Sequence, residues 1–307
     1  MHQIRTAASV IALAAFLAVA PDNSSAQLPE GDLNPLSTQV KTRNYLPHMT
    51  WAEVEEALTR TDMVIIPVGS IEQHGKHLPL GSDIIAALEV SKLIAQEADV
   101  LVAPAVLAGI SGHHMGFSGT ITLSPETFET VVYETAASLI SHGFRKIAFY
   151  NGHGGNSTSL ANVIERINQT TPATAVDLAG ISTATRESPY PSVRIDWHAG
   201  VGETSKMMYL AGDLVQMERA ENPVLTFPPD VEKVLSGMEG SNLSLLRDAY
   251  LFLPEGTGKR TSSREMSSNG CFTTGDVKTS SAARGKWELW AFVESAIAFL
   301  NSWKEIN

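Results

Sequence analysis

The segment Gly69-Ser70-Ile71-Glu72-Gln73-His74-Gly75-Lys76-His77-Leu78-Pro79-Leu80-Gly81-Ser82-Asp83 places two carboxylates and two imidazoles in a short run broken by Gly and Pro. Glu72 and His74 are two residues apart, and in extended chain that spacing points both side chains to the same side. Oxygen and nitrogen donors converging at a strand end suit a borderline divalent ion such as zinc or manganese. Further donors follow: His153 in the Gly-rich turn Asn151-Gly152-His153-Gly154-Gly155-Asn156, and Glu203. Sites of several such ligands leave positions open for water, as a hydrolase needs. Two ions about 3.5–4 Å apart can share a hydroxide and polarise a carbonyl. Asp83 stands where a helix begins, so it can cap that helix or reach a metal, and a carboxylate can bridge two ions. Glu203 is either a ligand or a helix N-terminal acid stabilised by the dipole.

The elements that must position these donors read clearly. Thr50-Trp51-Ala52-Glu53 is a capping box opening a helix to about Leu58. Met63 to Val68 is an apolar run that reads as a buried strand, and Asp83 to about Ala98 has helical spacing. Val100 to Leu107 reads as a second strand. Ser124-Pro125-Glu126 starts a helix that should stop at Gly143. Lys146 to Tyr150 is a third strand, followed by a helix from Ser157 to Gln169 and a fourth strand from Ala173 to Ile181. Helices are expected over Glu203 to Met217 and Lys286 to Trp303, with irregular structure over 221–282. Strands that are continuous apolar runs alternating with helices imply an α/β fold, a single-domain three-layer α/β/α arrangement around a mostly parallel sheet. In such sheets ligands sit outside the C-terminal strand ends. Glu72, His114 and His153 follow the first, second and third strands, and His198 lies in a longer loop after the fourth.

Met1 to Arg5 carries one positive charge, Ala7 to Ala20 is apolar, and Ser24-Ser25-Ala26 is a small-residue cleavage site. This layout predicts a signal peptide over 1–26, a leader over 27–48 and the domain proper over 49–307, in a periplasmic or secreted protein. The net charge is −11, which leaves no electrostatic footprint for nucleic acid or anionic lipid. With Cys271 as its one cysteine, the chain cannot rest on internal disulfides and folds on its hydrophobic core.

The Gly69–Asp83 segment resembles the signature of the creatininase family (creatinine amidohydrolase and relatives), which reads G-S-x-E-Q-H-G-x-H-L-P-L-x-x-D. The likeness continues in His114-Met115-Gly116-Phe117-Ser118-Gly119-Thr120, in Asn151 to Asn156, in His198-Ala199-Gly200-Val201-Gly202-Glu203-Thr204-Ser205 and, more weakly, in Gly275-Asp276. The matches run in family order. The resemblance implies a creatininase-like fold and a metal-dependent amidohydrolase. It implies that Glu72, His74, Asp83 and His153 hold one or two divalent ions, zinc first, with manganese or iron as alternatives. It makes His198 the acid/base residue that protonates the leaving nitrogen, with Glu203 a second catalytic candidate, and it implies a homo-oligomer such as a hexamer. His114, Trp197, Gly154 and Gly155 are expected to line the substrate pocket. Two departures stand out. Creatininase has a metal-binding Glu two residues after the Asn-Gly-His histidine, where this chain has Gly155. It also has a Glu directly before the acid/base histidine, where this chain has Trp197. Glu203 is the expected substitute for the missing ligand, and creatinine itself is a less secure substrate.

Cyclic amides are the leading substrate class by this resemblance, with formamides or short peptides as alternatives. A periplasmic metal- or ligand-binding protein without catalysis is the competing class. His113 and His114 are adjacent, so in extended chain they face opposite ways. His77 reads as a supporting donor or a surface residue, His142 as a cation at a helix C-terminus, and Cys271 as packing. The Gly-rich turn is neither G-x-G-x-x-G nor a P-loop, and no G-x-S-x-G elbow is present.

Overall fold

Every side chain of β1 (Met63–Val68) is buried, which requires cover on both faces of the strand. The computed structural model, which describes residues 40–181, 187–227, 233, 236–237 and 263–306, shows that cover. Met63 and Ile65 pack with Val90 and Ile94 of α2 (Ser82–Ala98) and with Leu289, Val293 and Leu300 near the C-terminus. Val64, Ile66 and Val68 turn the other way, onto Phe128, Val132, Leu160 and Val163. Each such side chain contributes about 1.5–3 kcal/mol when fully buried. The expected signal peptide and most of the leader lie outside the described residues. Residues 41–48, assigned to the leader from sequence, adjoin the sheet: the Asn44 carbonyl accepts from the Val102 amide at 2.8 Å, and Tyr45 bridges Val102.

The first helix, α1 (Trp51–Leu58), carries the expected capping box between Thr50 and Glu53. Beyond α2 come β2 (Leu101–Val102), α3 (Pro125–Ser141), β3 (Lys146–Asn151), α4 (Ser157–Thr170) and β4 (Thr174–Asp177). The strands form a parallel sheet in the order β2-β1-β3-β4. The path leaves β1 toward β2, then crosses back to β3, so the winding reverses beside the C-terminal ends of β1 and β3. That reversal opens a crevice there. Gly69 and Gly152 let the start of α2 into it: a Cβ on Gly152 would lie 2.5 Å from the Asp83 carbonyl oxygen, and one on Gly69 2.9 Å from the Ile84 backbone.

A two-stranded antiparallel ribbon joins β5 (Asp196–His198) to β6 (Phe272–Thr273). Between them lie α5 (Val201–Ala211) and the short α6 (Ser263–Met266); α7 (Ala282–Lys304) closes the fold. Four boundaries differ from expectation by four residues or more, one being the start of the C-terminal helix, at Ala282 rather than Lys286. The second strand stops at Val102 because Pro104 has no N–H to continue the ladder, although pairing resumes briefly between Val68 and Val106. The fourth strand ends at Asp177, whose side chain accepts from the Ala179 amide and turns the chain. The helix carrying Glu203 stops at Ala211, before Gly212, rather than running to Met217. His198 lies on β5 and not in a loop. No helix among the described residues is long and apolar enough to cross a membrane.

Candidate metal centre

Glu72, His74, Asp83, His153 and His198 meet in the crevice and are all at most 5% exposed. Asp83 stands between two imidazoles: its Oδ1 lies 3.2 Å from His74 Nε2 and its Oδ2 lies 3.1 Å from His153 Nδ1. Glu72 Oε1 lies 3.3 Å from His153 Nδ1 and 3.5 Å from His198 Nδ1. Two sets of donors therefore share Glu72: Glu72, His74 and His198, and Glu72, His113 and His153, with the ligand atoms of each set within 4.8 Å of one another.

The outer ring nitrogens show the same design three times. His74 Nδ1 donates to the Glu72 carbonyl at 3.1 Å, His153 Nε2 to the Ile110 carbonyl at 3.0 Å, and His198 Nε2 to the Gln73 carbonyl at 2.6 Å. Each bond orients its ring and turns the other nitrogen toward the carboxylates, as metal-binding histidines require. Buried carboxylates and imidazoles this dense need mutual pairing or an ion to offset desolvation. The donor set thus fits one or two divalent ions.

The electrostatics of the metal-free site follow. Burial alone would raise the Glu72 carboxyl, but His153, His114 and His198 outweigh it and hold it well below the usual carboxylate range. Burial disfavours a charged His74, yet Asp83, Glu203 and Glu72 raise it to about 10. Burial is likewise overcome at His153, raised well above its ordinary value by Glu72 and Asp83. His198 goes the other way: burial and the neighbouring His74 push it down to about 3.

The turns hold these groups in place. Asn151 Oδ1 accepts from the His153 amide at 3.1 Å, while Asn156 bonds the Gly69 carbonyl and the Ile110 amide at 3.0 and 2.9 Å. Ser111 donates to Glu72 Oε2 at 2.6 Å. Gln73 amide Nε2 reaches His114 Nδ1 at 3.1 Å and the Gly270 carbonyl at 3.0 Å. Ser111 and Gln73 were not singled out from sequence. Gln73 lies between two donors in the motif, where alternation alone sends it away from them.

His114 is buried, with its Nε2 3.7 Å from Glu72 Oε1. His113 does not face away from it. A 3-10 turn over Gly112–His114 replaces the extended chain, and both rings are buried with centroids 4.2 Å apart. Glu203 sits on the His74 side, its Oε2 3.8 Å from His74 Nε2 and accepting the Ala199 amide at 2.6 Å. Its side chain is 37% exposed, while burial of the carboxyl raises it above the usual carboxylate range. The helix-capping part is played by Asp196, which accepts the Val201 and Gly202 amides, each at 2.8 Å. Trp197 alternates away from His198 and packs with Met266, Phe272, Leu225 and Phe227. Gly154 is exposed on its turn, and Gly155 lies against the His153 ring. His77 Nε2 bonds Thr204 Oγ1 at 2.8 Å, a buried supporting contact. Asp276 caps an exposed turn through the Lys278 amide. Cys271 packs with Leu78, Ala199 and Met207, and burial pushes its thiol up to about 12.

A cavity of about 170 Å³ adjoins the centre, lined by His74, Asp83, Tyr150, Glu203, Lys206 and Met207 among others.

The family model for creatininase, described as creatinine amidohydrolase, matches residues 47–300. A creatinine amidohydrolase from Pseudomonas putida is 31% identical over 205 residues, 60% of this chain and 79% of that protein. A mycofactocin precursor peptide peptidase from Mycolicibacterium smegmatis is 34% identical over 157 residues, 49% of this chain and 59% of that protein. The Zn–Zn form of a creatininase mutant superposes with a TM-score of 0.67 at 24% identity, over 85% of this chain and 98% of that one.

Proposed function

From its place in the creatininase family, to which this chain belongs as a metal-dependent amidohydrolase, we propose that it cleaves a small cyclic amide at the carbon–nitrogen bond, in the periplasm or outside the cell. The observation that carries this reading is the pair of buried carboxylates, each set between imidazoles whose outer N–H groups are tied to backbone carbonyls. Glu72, His74, Asp83 and His153 would hold the ions, zinc first, with manganese and iron as alternatives. Such ions polarise a carbonyl and make water nucleophilic near neutral pH.

The chain's own residues then move the proton. The Nε2–H of His198 is committed to the Gln73 carbonyl, so Nδ1 is the working nitrogen. Nδ1 accepts a proton from the attacking water and delivers it to the leaving nitrogen, base first and acid second. Glu203 borders the cavity beside His74, where its carboxylate can orient a substrate N–H. Formamides and short peptides remain the neighbouring classes, the latter echoing the mycobacterial relative. Export after cleavage at Ala26 and assembly into a homo-oligomer belong to the same proposal.

The test is turnover by the zinc- or manganese-loaded mature chain on a panel of cyclic amides, formamides and short peptides. Turnover confined to cyclic amides supports the reading. Preference for another class moves the substrate, and tight binding without turnover on any class leaves a binding protein.

A further inference from the structure

Resting on the amide-hydrolysis reading above, we infer that His114 is a catalytic hydrogen-bond donor to the acyl oxygen of the bound amide, and that Gln73 is the positioning residue that fixes it in the donating tautomer. His114 is fully buried beside Glu72 and belongs to neither set of donors with metal-ligand spacing among the described residues. Its Nε2 lies 3.7 Å from Glu72 Oε1, too far for a hydrogen bond, and has no partner in the fold. A buried ring nitrogen left without a partner costs free energy that a ligand can recover.

The far side of the ring decides which hydrogen that nitrogen carries. The Gln73 side-chain oxygen accepts from the Gly75 amide at 3.0 Å, and its Nε2 donates to the Gly270 carbonyl at 3.0 Å. Gly270, at φ +88°, makes room for this, since a Cβ there would collide with the Gln73 side-chain amide. Turning that amide over would set N–H against N–H and oxygen against oxygen, so its orientation is fixed. Its second hydrogen then points at His114 Nδ1, 3.1 Å away, and Nδ1 must accept. Ser263 Oγ lies 3.0 Å from Nδ1 and also bonds the His113 carbonyl. Its one hydrogen can serve either acceptor, and neither choice puts a hydrogen on Nδ1. A ring that accepts at Nδ1 is neutral and carries its proton at Nε2.

That N–H stands beside the proton-moving group. His198 Nδ1 approaches Glu72 Oε1 at 3.5 Å, His114 Nε2 approaches the same oxygen, and the two rings stack with centroids 4.3 Å apart. As water adds to an amide carbonyl, the carbonyl oxygen gains negative charge, and a preset donor binds it more strongly than before. Neutral imidazole can serve as such an electrophile. His114 keeps its proton throughout; the transferred proton belongs to His198.

The first readout needs no turnover. It is the nitrogen-15 spectrum of the zinc-loaded native chain labelled at histidine, with the His114 signals assigned by their loss in His114→Phe and in His114→Gln. The expected pattern is a protonated Nε2 and an unprotonated Nδ1. Gln73→Glu, which sets an acceptor opposite Nδ1, should reverse it. A native chain with the proton on Nδ1, or with zinc on a ring nitrogen of His114, overturns the inference and leaves the metal centre standing. The second readout is turnover of whichever panel amide the native chain cleaves fastest, with circular dichroism of each variant. His114→Phe should lower kcat by about 100- to 1,000-fold, with KM little changed and zinc content native, and His114→Gln, which keeps an N–H, should recover part of the loss. Loss of zinc or an unchanged kcat in a folded variant overturns the donor role. A native chain that cleaves no amide overturns the proposed function, and the donor role with it.

Discussion

The two ends of the parallel sheet both gather charged residues, and they use them in opposite ways. At the C-terminal ends of β1 and β3, Glu72, Asp83, His74, His153 and His198 are buried and face one another. At the N-terminal ends a cavity of about 620 Å³ is lined by Arg60, Asp62, Arg145, Lys146 and Lys304 among others. There the cations reach backbone oxygens. Arg145 donates to the Ile140 and Phe144 carbonyls, each at 2.8 Å, and Lys304 to that of Asp99 at 3.2 Å. The Arg60–Asp99 pair is 41% and 54% exposed. Cavity size therefore does not locate the chemistry. Desolvated imidazoles, each held by one backbone carbonyl and turned with its other nitrogen toward shared carboxylates, do.

Glu72→Ala is the sharpest test of that contrast. It should abolish metal uptake and lower turnover by more than about 1,000-fold, as removal of a central catalytic group does. Retained metal in elemental analysis would break the comparison. His198→Ala should lower turnover by about 100- to 10,000-fold, the range for a lost acid–base group, while metal content stays native. Loss of an ion would instead make His198 a ligand of the His74 side. Ser111→Ala removes the donor to Glu72 Oε2 and should weaken metal affinity by about 10–100-fold, read by competition with a chelating dye.

Proton linkage probes the same end. In the metal-free fold His74 stays protonated up to about pH 10, and His153 is raised as well. Metal binding needs neutral imidazole, so uptake at pH 7 should release protons and weaken as the pH falls. Calorimetry in buffers of different ionisation enthalpy measures the release. The sign for stability is set by His74, whose folded value lies above its ordinary 6.5. Its contribution to the metal-free fold is complete below pH 6.5 and is lost as the pH rises toward 10. A metal-free melting temperature that climbs over that window would contradict the pairing. The smallest effect belongs to the other end of the sheet. Arg60→Ala should change stability by at most about 1 kcal/mol, as exposed ion pairs do, and leave turnover unaltered.

Much of this was legible along the chain because the signals were local. The capping box at Thr50, the cap at Ser124 and the stop at Gly143 each act within one turn of helix. The apolar run of β1 announced a strand covered on both faces. Alternation brought Glu72 and His74 to one place. The same rule failed for His113 and His114, because it assumes extended chain and a 3-10 turn stands there. It gave no sign that Gln73 would tie His114 to Gly270, a residue 197 positions on.

The sequence by itself determined the layers of the fold, the family and four of the residues that meet in the crevice, because hydrophobic period, caps and motif order are properties of neighbouring residues. The tertiary structure alone decided which nitrogen of His198 faces Glu72, that Trp197 turns into an apolar cluster, that Asp196 rather than Glu203 caps α5, and that Ser111 and His113 lie beside Glu72. Those outcomes depend on which backbone carbonyls and side chains arrive from distant segments, and on the space left when they have arrived.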